Sequence, residues 1–464
     1  MSAKQSTTIH EIFPDETGKI KPSLKTFDLT MIVVGLVIGM GIFRTPPEVA
    51  QKAGIPTIFF LAWILGAVVS LIGALTFAEI GSRYPAAGGF YKIFSHCYHP
   101  AFAFMVNWIT VISNAASTAG VAIMGAEYIA PILLPDWEHI VAVRTITISA
   151  VALLFVVNML GIKVSAKLLN VLMIIKLGML LILILAMFFV KGEHAAETVT
   201  PVTQTSTDWW KALALCFIPV FFTYGGYQQT MNFGSDVPNA SRTMPRAIFY
   251  GMAIVLCVYL LANFSYYKVL GFTQLQHTTT LAADISGLMF GTMAAKLVSV
   301  IMFFSVMAYV NVSVLSNPRV YFAMAEDKVM PKIFSRVNPR TQVQEWAVTL
   351  FCVFIILTLF FMSSFQTILE YVMFFDSISL VTAAAAIFVL RHRAKKEGEQ
   401  KEIFKMKGYP YLPAFYILVY TAVNLSVLIA NPSAAMWGFI LFISGLPLFY
   451  LLRKIIGKTT DTNS

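Results

Sequence analysis

Long apolar segments without charge dominate this chain. Three of them, Ile58–Ala78, Ile248–Tyr267 and Tyr411–Ala430, contain no charged residue. A helix needs about 20 mostly apolar residues to cross roughly 30 Å of hydrocarbon, and each segment has that length. Hydrophobic residues make up 58% of the chain and charged residues 12%, against about 45–50% and about 25% in soluble globular proteins. The sequence therefore predicts an integral membrane protein.

The spacing of the apolar segments predicts an all-α membrane protein with twelve transmembrane helices. A polar N-terminal tail (1–26) and a C-terminal tail (453–464) flank them. The first 26 residues lack the apolar core and cleavage site of a signal peptide, so the first span is expected to direct insertion. Numbered along the chain, spans 1 to 12 are 27–52, 57–82, 100–131, 140–159, 166–190, 209–236, 246–269, 291–323, 345–364, 367–390, 411–430 and 434–452.

The basic residues are distributed unevenly across this topology. With the N-terminus in the cytoplasm, most of the 33 Lys and Arg residues fall on cytoplasmic segments, and the densest cluster, Arg391–Lys407, lies between spans 10 and 11. Because Lys and Arg resist translocation, this asymmetry predicts a cell-membrane protein with both termini in the cytoplasm. The net charge of +10 is therefore explained by the basic residues of the cytoplasmic segments, and no nucleic-acid partner is expected.

Glycines interrupt spans 1 and 6 at comparable positions. Span 1 contains Gly39-Met40-Gly41 and span 6 contains Gly225-Gly226. Glycine-interrupted spans at matching positions of two halves indicate a transporter built from inverted repeats. We therefore expect spans 1–5 (27–190) and spans 6–10 (209–390) to form the two repeats, with spans 11 and 12 (411–452) added to them.

Span 1 also carries a signal for restarting a helix. Thr45 and Glu48 match a T-x-x-E capping box, and Pro46 is tolerated at a first helical position. A break between Gly39 and Thr45 leaves backbone groups unpaired, and each costs several kcal/mol in a membrane unless a ligand binds it. A carboxylate on the N–H groups and an ammonium on the carbonyls would satisfy both sets, which favours a zwitterion. Close helix packing is the alternative, since Gly35 and Gly39 fit a small-xxx-small pattern.

Five stretches of this sequence carry recognisable motifs. The stretches are Gly39-Met40-Gly41-Ile42-Phe43, Phe77-Ala78-Glu79-Ile80-Gly81 with Pro85-Ala86-Ala87-Gly88-Gly89-Phe90-Tyr91, Phe222-Thr223-Tyr224-Gly225-Gly226-Tyr227, Asp236-Val237 with Arg242-Thr243-Met244-Pro245-Arg246-Ala247-Ile248, and Pro318-Arg319-Val320-Tyr321-Phe322-Ala323-Met324-Ala325-Glu326-Asp327. In this order and at these intervals, from about residue 24 to about residue 455, they resemble the amino acid–polyamine–organocation superfamily, in particular its L-type and bacterial amino acid permease branch.

The resemblance implies a leucine-transporter-like fold with discontinuous helices 1 and 6, and an amino acid as substrate. It implies that backbone N–H groups of Met40, Gly41 and Ile42 bind the substrate carboxylate. The carbonyls of Ile38 and Phe222 would then bind the ammonium, with the Phe222 ring as a gate.

Tyr224 and Gly225, at the span 6 break, complete the candidate substrate site. Met40 replaces the small Ser, Thr or Ala of the family pattern, which favours smaller or flexible substrate side chains. The resemblance implies sodium-independent transport of small or neutral L-amino acids by alternating access, as a proton symporter or an exchanger. A cationic amino acid or polyamine exchanger and a non-transporting amino acid sensor remain as alternatives.

Lys176 lies halfway along span 5. A lysine at the centre of a bilayer costs at least about 2.5–3.5 kcal/mol, so it requires a partner or a task. In the resembled family a span 5 lysine takes the place of sodium, where its ammonium can hold oxygens of spans 1 and 8. A fixed structural cation that never titrates is the alternative.

Arg44 lies just above the span 1 break, and Asp376 lies in span 10. In the related bacterial leucine transporter fold, an arginine and an aspartate in these spans close the outer path. The resemblance therefore implies an Arg44–Asp376 gate. Binding of a cationic substrate by Asp376, and two separate water-facing charges, remain open.

The sequence offers no sign of an enzyme. It contains no HExxH, GxSxG, CxxC or P-loop pattern, and we expect neither a cofactor nor a metal site. The outer loop between spans 3 and 4 (132–139) contains no cysteine, so no disulfide-linked heavy chain is expected.

Overall fold

The computed structural model describes residues 22–86, 88–189, 206–278, 281–361, 365–397, 403–430 and 432–461. Most of the predicted N-terminal tail, Ala87 of the loop motif and the last three residues of the C-terminal tail lie outside these ranges. The described residues form helices joined by turns and short connections, and no strand occurs among them.

Seventeen α-helices occur in the described part of the chain. Short 3₁₀ helices at Tyr227–Asn232, Gly234–Asp236 and Lys332–Ser335 supplement them. The α-helices are α1 (Thr26–Val37), α2 (Gly41–Ala53), α3 (Pro56–Arg83), α4 (Gly89–Cys97), α5 (Pro100–Leu133), α6 (His139–Met159), α7 (Ile162–Phe189), α8 (Ser206–Tyr224), α9 (Ala240–Leu270), α10 (Phe272–His277), α11 (Leu281–Phe290), α12 (Thr292–Ser316), α13 (Pro318–Glu326), α14 (Glu345–Phe361), α15 (Phe365–Glu397), α16 (Tyr411–Ala430) and α17 (Pro432–Asp461).

Nine helical segments among the described residues are long and apolar enough to cross a membrane. The apolar stretches Glu345–Phe360 and Tyr411–Ser426, in α14 and α16, are shorter. The protein is thus a multi-pass membrane protein, as the composition predicts.

The broken first span lies at the centre of the bundle. In the most apolar stretch of Thr26–Ala53, 78% of the residues are buried inside the protein, against 11% for Gly438–Ile456 in α17. The helix α1 packs against α7 and α9, while α2 packs against α8. The break in span 1 is therefore enclosed by helices from both predicted repeats, while α17 presents most of its surface outward.

A buried ion pair lies at the end of the bundle that is predicted to be cytoplasmic. The Arg319 Nε atom is 2.8 Å from Oδ2 of Asp236, and the two side chains are 3% and 2% exposed. The Asp236 carbonyl also accepts from the backbone N–H groups of Ser23 and Leu24, just before α1. Because removing one partner of a buried ion pair costs about 3–5 kcal/mol, these contacts join α13, the segment after the span 6 break and the residues before α1.

Candidate functional site

The first span is divided into two helices, as the glycine pattern predicts. The helix α1 ends at Val37 and α2 begins at Gly41. The Phe43 and Arg44 N–H groups donate to the carbonyl of Met40, so the first turn of α2 begins at the break itself. The backbone N–H groups of Met40, Gly41 and Ile42 have no acceptor among the described residues. They form a buried helix N-terminus without a described acceptor, which carries partial positive charge.

The predicted restart at Thr45 is wrong. Thr45 lies one turn inside α2, where its hydroxyl is 2.8 Å from the carbonyl of Gly41 and 2.6 Å from the hydroxyl of Thr223. Glu48 pairs with Lys52 at 2.6 Å, one turn further along the same helix. The capping box does not form because packing against α8 lets the helix begin four residues earlier, at Gly41.

The sixth span is also interrupted, at Gly225 and Gly226. The helix α8 ends at Tyr224, and a 3₁₀ helix begins at Tyr227. Gly226 has a φ of 112° and donates its N–H to Oε1 of Gln228 at 2.9 Å. The carbonyls of Thr223 and Tyr224 receive no hydrogen bond from the described residues, so α8 presents a partially negative C-terminus at the break.

The two breaks touch each other. A Cβ atom on Gly226 would lie 2.2 Å from the carbonyl oxygen of Leu36, at the end of α1. A Cβ atom on Gly41 would lie 2.8 Å from Cγ2 of Thr223, at the end of α8. The positive end of α2 and the negative end of α8 are consequently held side by side by backbone packing.

A cavity of about 50 Å³ lies between the two breaks. One water requires roughly 10–15 Å³ of such space, so the cavity holds a few small groups. Backbone of both breaks forms one side of it. The other side carries polar groups from four further helices, namely Asn114 and Ser117 of α5, Tyr309 of α12, Asp376 of α15 and Tyr420 of α16, together with Gln229.

Of the residues predicted to bind substrate, four line this cavity, namely Met40, Gly41, Phe222 and Gly225. Ile38, Ile42 and Tyr224 lie behind its wall. Ile42 and Tyr224 are fully buried, and the Tyr224 hydroxyl lies 3.4 Å from the carbonyl of Trp63. The Ile42 side chain therefore serves packing, while its N–H group belongs to the open end of α2.

Lys176 reaches the span 1 break from α7. Its side chain is completely buried, and Nζ donates to the carbonyl of Ile38. The next carbonyl towards the N-terminus, that of Val37, accepts from the Tyr259 hydroxyl at 3.0 Å. The Val37 carbonyl also accepts from the N–H group of Gly39 at 2.8 Å. Side chains of α7 and α9 thus bind two successive carbonyls at the end of α1. The expected second contact of Lys176, with an oxygen of span 8, is absent among the described residues.

Arg44 and Asp376 do not form an ion pair in this conformation. Arg44 is exposed, and Asp376 lines the cavity without a cationic partner among the described residues. In the part of the chain that the structure describes, no lysine or arginine lines the cavity. The Arg44–Asp376 gate therefore stays a prediction.

The polar wall of the cavity was not predicted from the sequence. Asn114 and Ser117 are separated by one helical turn in α5, a spacing that places both on one face. Polar side chains at membrane depth usually face the bundle interior or a cavity, so this pair was a usable signal. Gln229 and Tyr309 carried no comparable signal, because only the packed structure brings them beside the breaks.

No metal centre is found in the described part of the chain, where no three His, Cys, Asp or Glu residues group closely enough to hold an ion. The four cysteines are free thiols, and Cys97, Cys216 and Cys352 are buried.

Comparison with known proteins identifies relatives along nearly the whole length. The chain is 30% identical to the serine/threonine exchanger SteT of Bacillus subtilis over 95% of this chain and 98% of that protein. It is 26% identical to the human cystine/glutamate transporter, over 90% of this chain and 83% of the relative. It is 23% identical to the human b(0,+)-type amino acid transporter 1, over 94% and 89%.

The sequence profile of one protein family covers almost all of the described bundle. The profile, described as amino acid permease, matches residues 24–451, which include both breaks, Lys176 and Asp376. Family and relatives alike are transporters and not enzymes. The chain therefore belongs to the amino acid permease family.

Proposed function

We propose that this protein is a secondary-active transporter of small or neutral L-amino acids that works by alternating access. One observation carries the proposal: Met40 and Gly41 at the start of α2, whose N–H groups have no described acceptor, and Thr223 at the end of α8, whose carbonyl has no described donor, line a single cavity. A carboxylate is favoured at a helix N-terminus and an ammonium at a C-terminus. An α-amino acid carries both groups on one carbon, so it matches a pair of helix ends in contact.

The proposal includes the finer topology. Twelve spans would form two inverted repeats, 27–190 and 209–390, followed by two further helices in 411–452. Both breaks lie at the interface of those repeats, where transporters of this construction bind substrate. Both chain termini would lie in the cytoplasm, so the Asp236–Arg319 ion pair would close the inner side.

The names of the relatives do not select one substrate, because they include a serine/threonine exchanger, a cystine/glutamate transporter and a b(0,+)-type transporter. Small size is supported by the cavity volume of about 50 Å³ and by Met40, which lines the cavity where the family pattern has a smaller residue. Sodium independence is supported by Lys176, whose ammonium already contacts the carbonyl of Ile38.

Uptake by purified protein in proteoliposomes tests the proposal. We expect radiolabelled small L-amino acids to accumulate in sodium-free buffer, driven either by an inward proton gradient or by unlabelled amino acid inside. D-amino acids and the decarboxylated amines should not compete, since they misplace or lack the carboxylate. Binding of amino acids without flux under both conditions would contradict transport and favour a sensor.

A cationic substrate is the second candidate, because Asp376 faces the cavity without a cationic partner among the described residues. The gate and the cationic substrate make different predictions for charge reversal. If Asp376 meets Arg44 when the outer path closes, Arg44→Asp and Asp376→Arg should each lose uptake, and the double variant should recover part of it. Coupling between contacting charges is typically about 0.5–3 kcal/mol, or roughly 2- to 150-fold.

Asp376→Asn distinguishes the two roles. Under the gate, this variant should slow neutral substrates. Under cation recognition, it should abolish competition by lysine or ornithine and spare neutral uptake, while Arg44→Asp should have little effect. Failure of the double reversal to exceed both single variants would contradict the gate.

A further inference from the structure

Three carboxamide side chains form a line from the interior of the bundle to the cavity. Asn317, at the junction of α12 and α13, is 1% exposed and does not touch the cavity. Asn114 of α5 and Gln229, beyond the span 6 break, both line it. Each carboxamide has one donating and one accepting end, so a bond at one end determines what the other end can offer.

The hydrogen bonds along this line run in one direction. The Nδ2 atom of Asn317 donates to the carbonyl of Ser313 at 2.9 Å, within its own helix. Its Oδ1 atom therefore faces Asn114, whose Nδ2 donates to it at 2.6 Å. This leaves Oδ1 of Asn114 facing Nε2 of Gln229, at a longer distance of 3.5 Å.

The last member of the line ends in an unused acceptor. The Oε1 atom of Gln229 is buried and has no hydrogen-bond partner among the described residues. A buried acceptor without a partner costs about 1–3 kcal/mol, which a ligand recovers if it supplies a donor. Asp376 contributes a further acceptor to the same cavity, and no cationic side chain of the described residues lines it. An acidic substrate side chain would face the Asp376 carboxylate there without a cationic partner among the described residues.

We propose that the Asn317–Asn114–Gln229 line, here named the amide relay, makes the cavity select small amino acids whose side chain donates a hydrogen bond, through a hydroxyl or carboxamide group. Gln229 is the residue that contacts the substrate side chain, and Asn317 is a positioning residue that acts through Asn114. The inference rests on the proposed amino acid transport and adds a substrate class to it. The two helix ends bind the α-carboxylate and the α-ammonium of the substrate. All α-amino acids share these groups, so these contacts cannot distinguish one amino acid from another.

The test compares pairs of substrates that differ by the donor alone. Serine differs from alanine by a hydroxyl, and threonine has nearly the shape of valine. In proteoliposomes, wild-type protein should prefer the hydroxyl member of each pair by about 5- to 150-fold in kcat/KM, the equivalent of about 1–3 kcal/mol. Aspartate should not be transported.

Two variants locate the source of the preference. Gln229→Met keeps a similar length without the carboxamide, and it should bring the serine-to-alanine ratio close to one. Asn317→Leu should lower the same ratio by freeing Asn114 to turn. A structural defect alone would lower uptake of both substrates together and leave the ratio unchanged.

Asn232→Leu is the matched control. Asn232 is a buried carboxamide nearby whose Oδ1 also lacks a described partner, but it bonds Ser316 at 3.2 Å and does not line the cavity. Its replacement should leave the ratio unchanged.

The outcomes separate the relay from the transport activity. If the wild-type protein takes up neither member of any substrate pair, that result contradicts the proposed function. Uptake with alanine equal to or better than serine, or a ratio unchanged in Gln229→Met, would overturn the relay alone. If Gln229→Met fails to fold, the wild-type ratios and Asn317→Leu still decide.

Discussion

Replacing Gly226 by alanine should abolish uptake and lower the thermal stability of the purified protein. The added Cβ would lie 2.2 Å from the carbonyl oxygen of Leu36. The oxygen belongs to the backbone and the backbone determines the position of the Cβ, so neither atom can turn away. The φ of 112° adds strain, since left-handed conformations cost roughly 1–2 kcal/mol for residues other than glycine. Relief requires α1 and the span 6 break to separate, which would dismantle the cavity between them.

Gly178→Ala provides the matched control. Gly178 lies inside α7, and no atom would come within 4 Å of an added Cβ. Alanine is favoured over glycine within a helix by about 1 kcal/mol, so this variant should transport normally and melt at an equal or higher temperature. Size-exclusion profiles, melting curves and uptake at equal protein incorporation measure both variants. Wild-type uptake by Gly226→Ala would show that the two breaks do not need their close contact.

Replacing Lys176 by alanine should reduce uptake by at least tenfold in sodium-free buffer. The buried ammonium donates to the carbonyl of Ile38 inside the break, and a hydrogen bond with a charged group contributes about 1.5–3 kcal/mol, or roughly 10- to 150-fold. Without it, the end of α1 loses the group that holds its unpaired carbonyl. If the ammonium replaces a coupling ion, sodium should restore part of the uptake, and the response to external pH should flatten.

The same measurements distinguish a fixed structural cation. A structural cation predicts loss of uptake at every pH with no rescue by sodium, and Lys176→Met should then behave like Lys176→Ala. Lys167→Ala serves as the control, because Lys167 is an exposed lysine of the same helix. Unchanged transport by Lys176→Ala would contradict both roles.

Some parts of the substrate site could be predicted from the sequence. The breaks near Gly39 and Gly225 follow from local chemistry, since glycine weakens a helix wherever it stands. Lys176 was recognisable because a charge within an apolar span requires a partner at any position in the fold. The partner itself, the carbonyl of Ile38, lies 138 residues away in sequence, and no local pattern identifies such a contact.

The error at Thr45 has a related cause. A capping box is a local motif, and its side chains compete with every other partner that packing supplies. Thr223 of α8 reaches the Thr45 hydroxyl, and α2 extends back to Gly41. In this protein the contact between Thr45 and α8 replaces the predicted side-chain cap.

The sequence by itself determined the membrane class, the interruption of spans 1 and 6 and the presence of a buried cation, because each depends on the free energy of one segment in a bilayer. The tertiary structure alone decided where α2 restarts, which of the candidate residues line the cavity, and how Asn317, Asn114 and Gln229 are ordered into a relay. These features depend on distances between helices that are remote in sequence. Such distances are set by packing of the whole bundle, which no single span encodes.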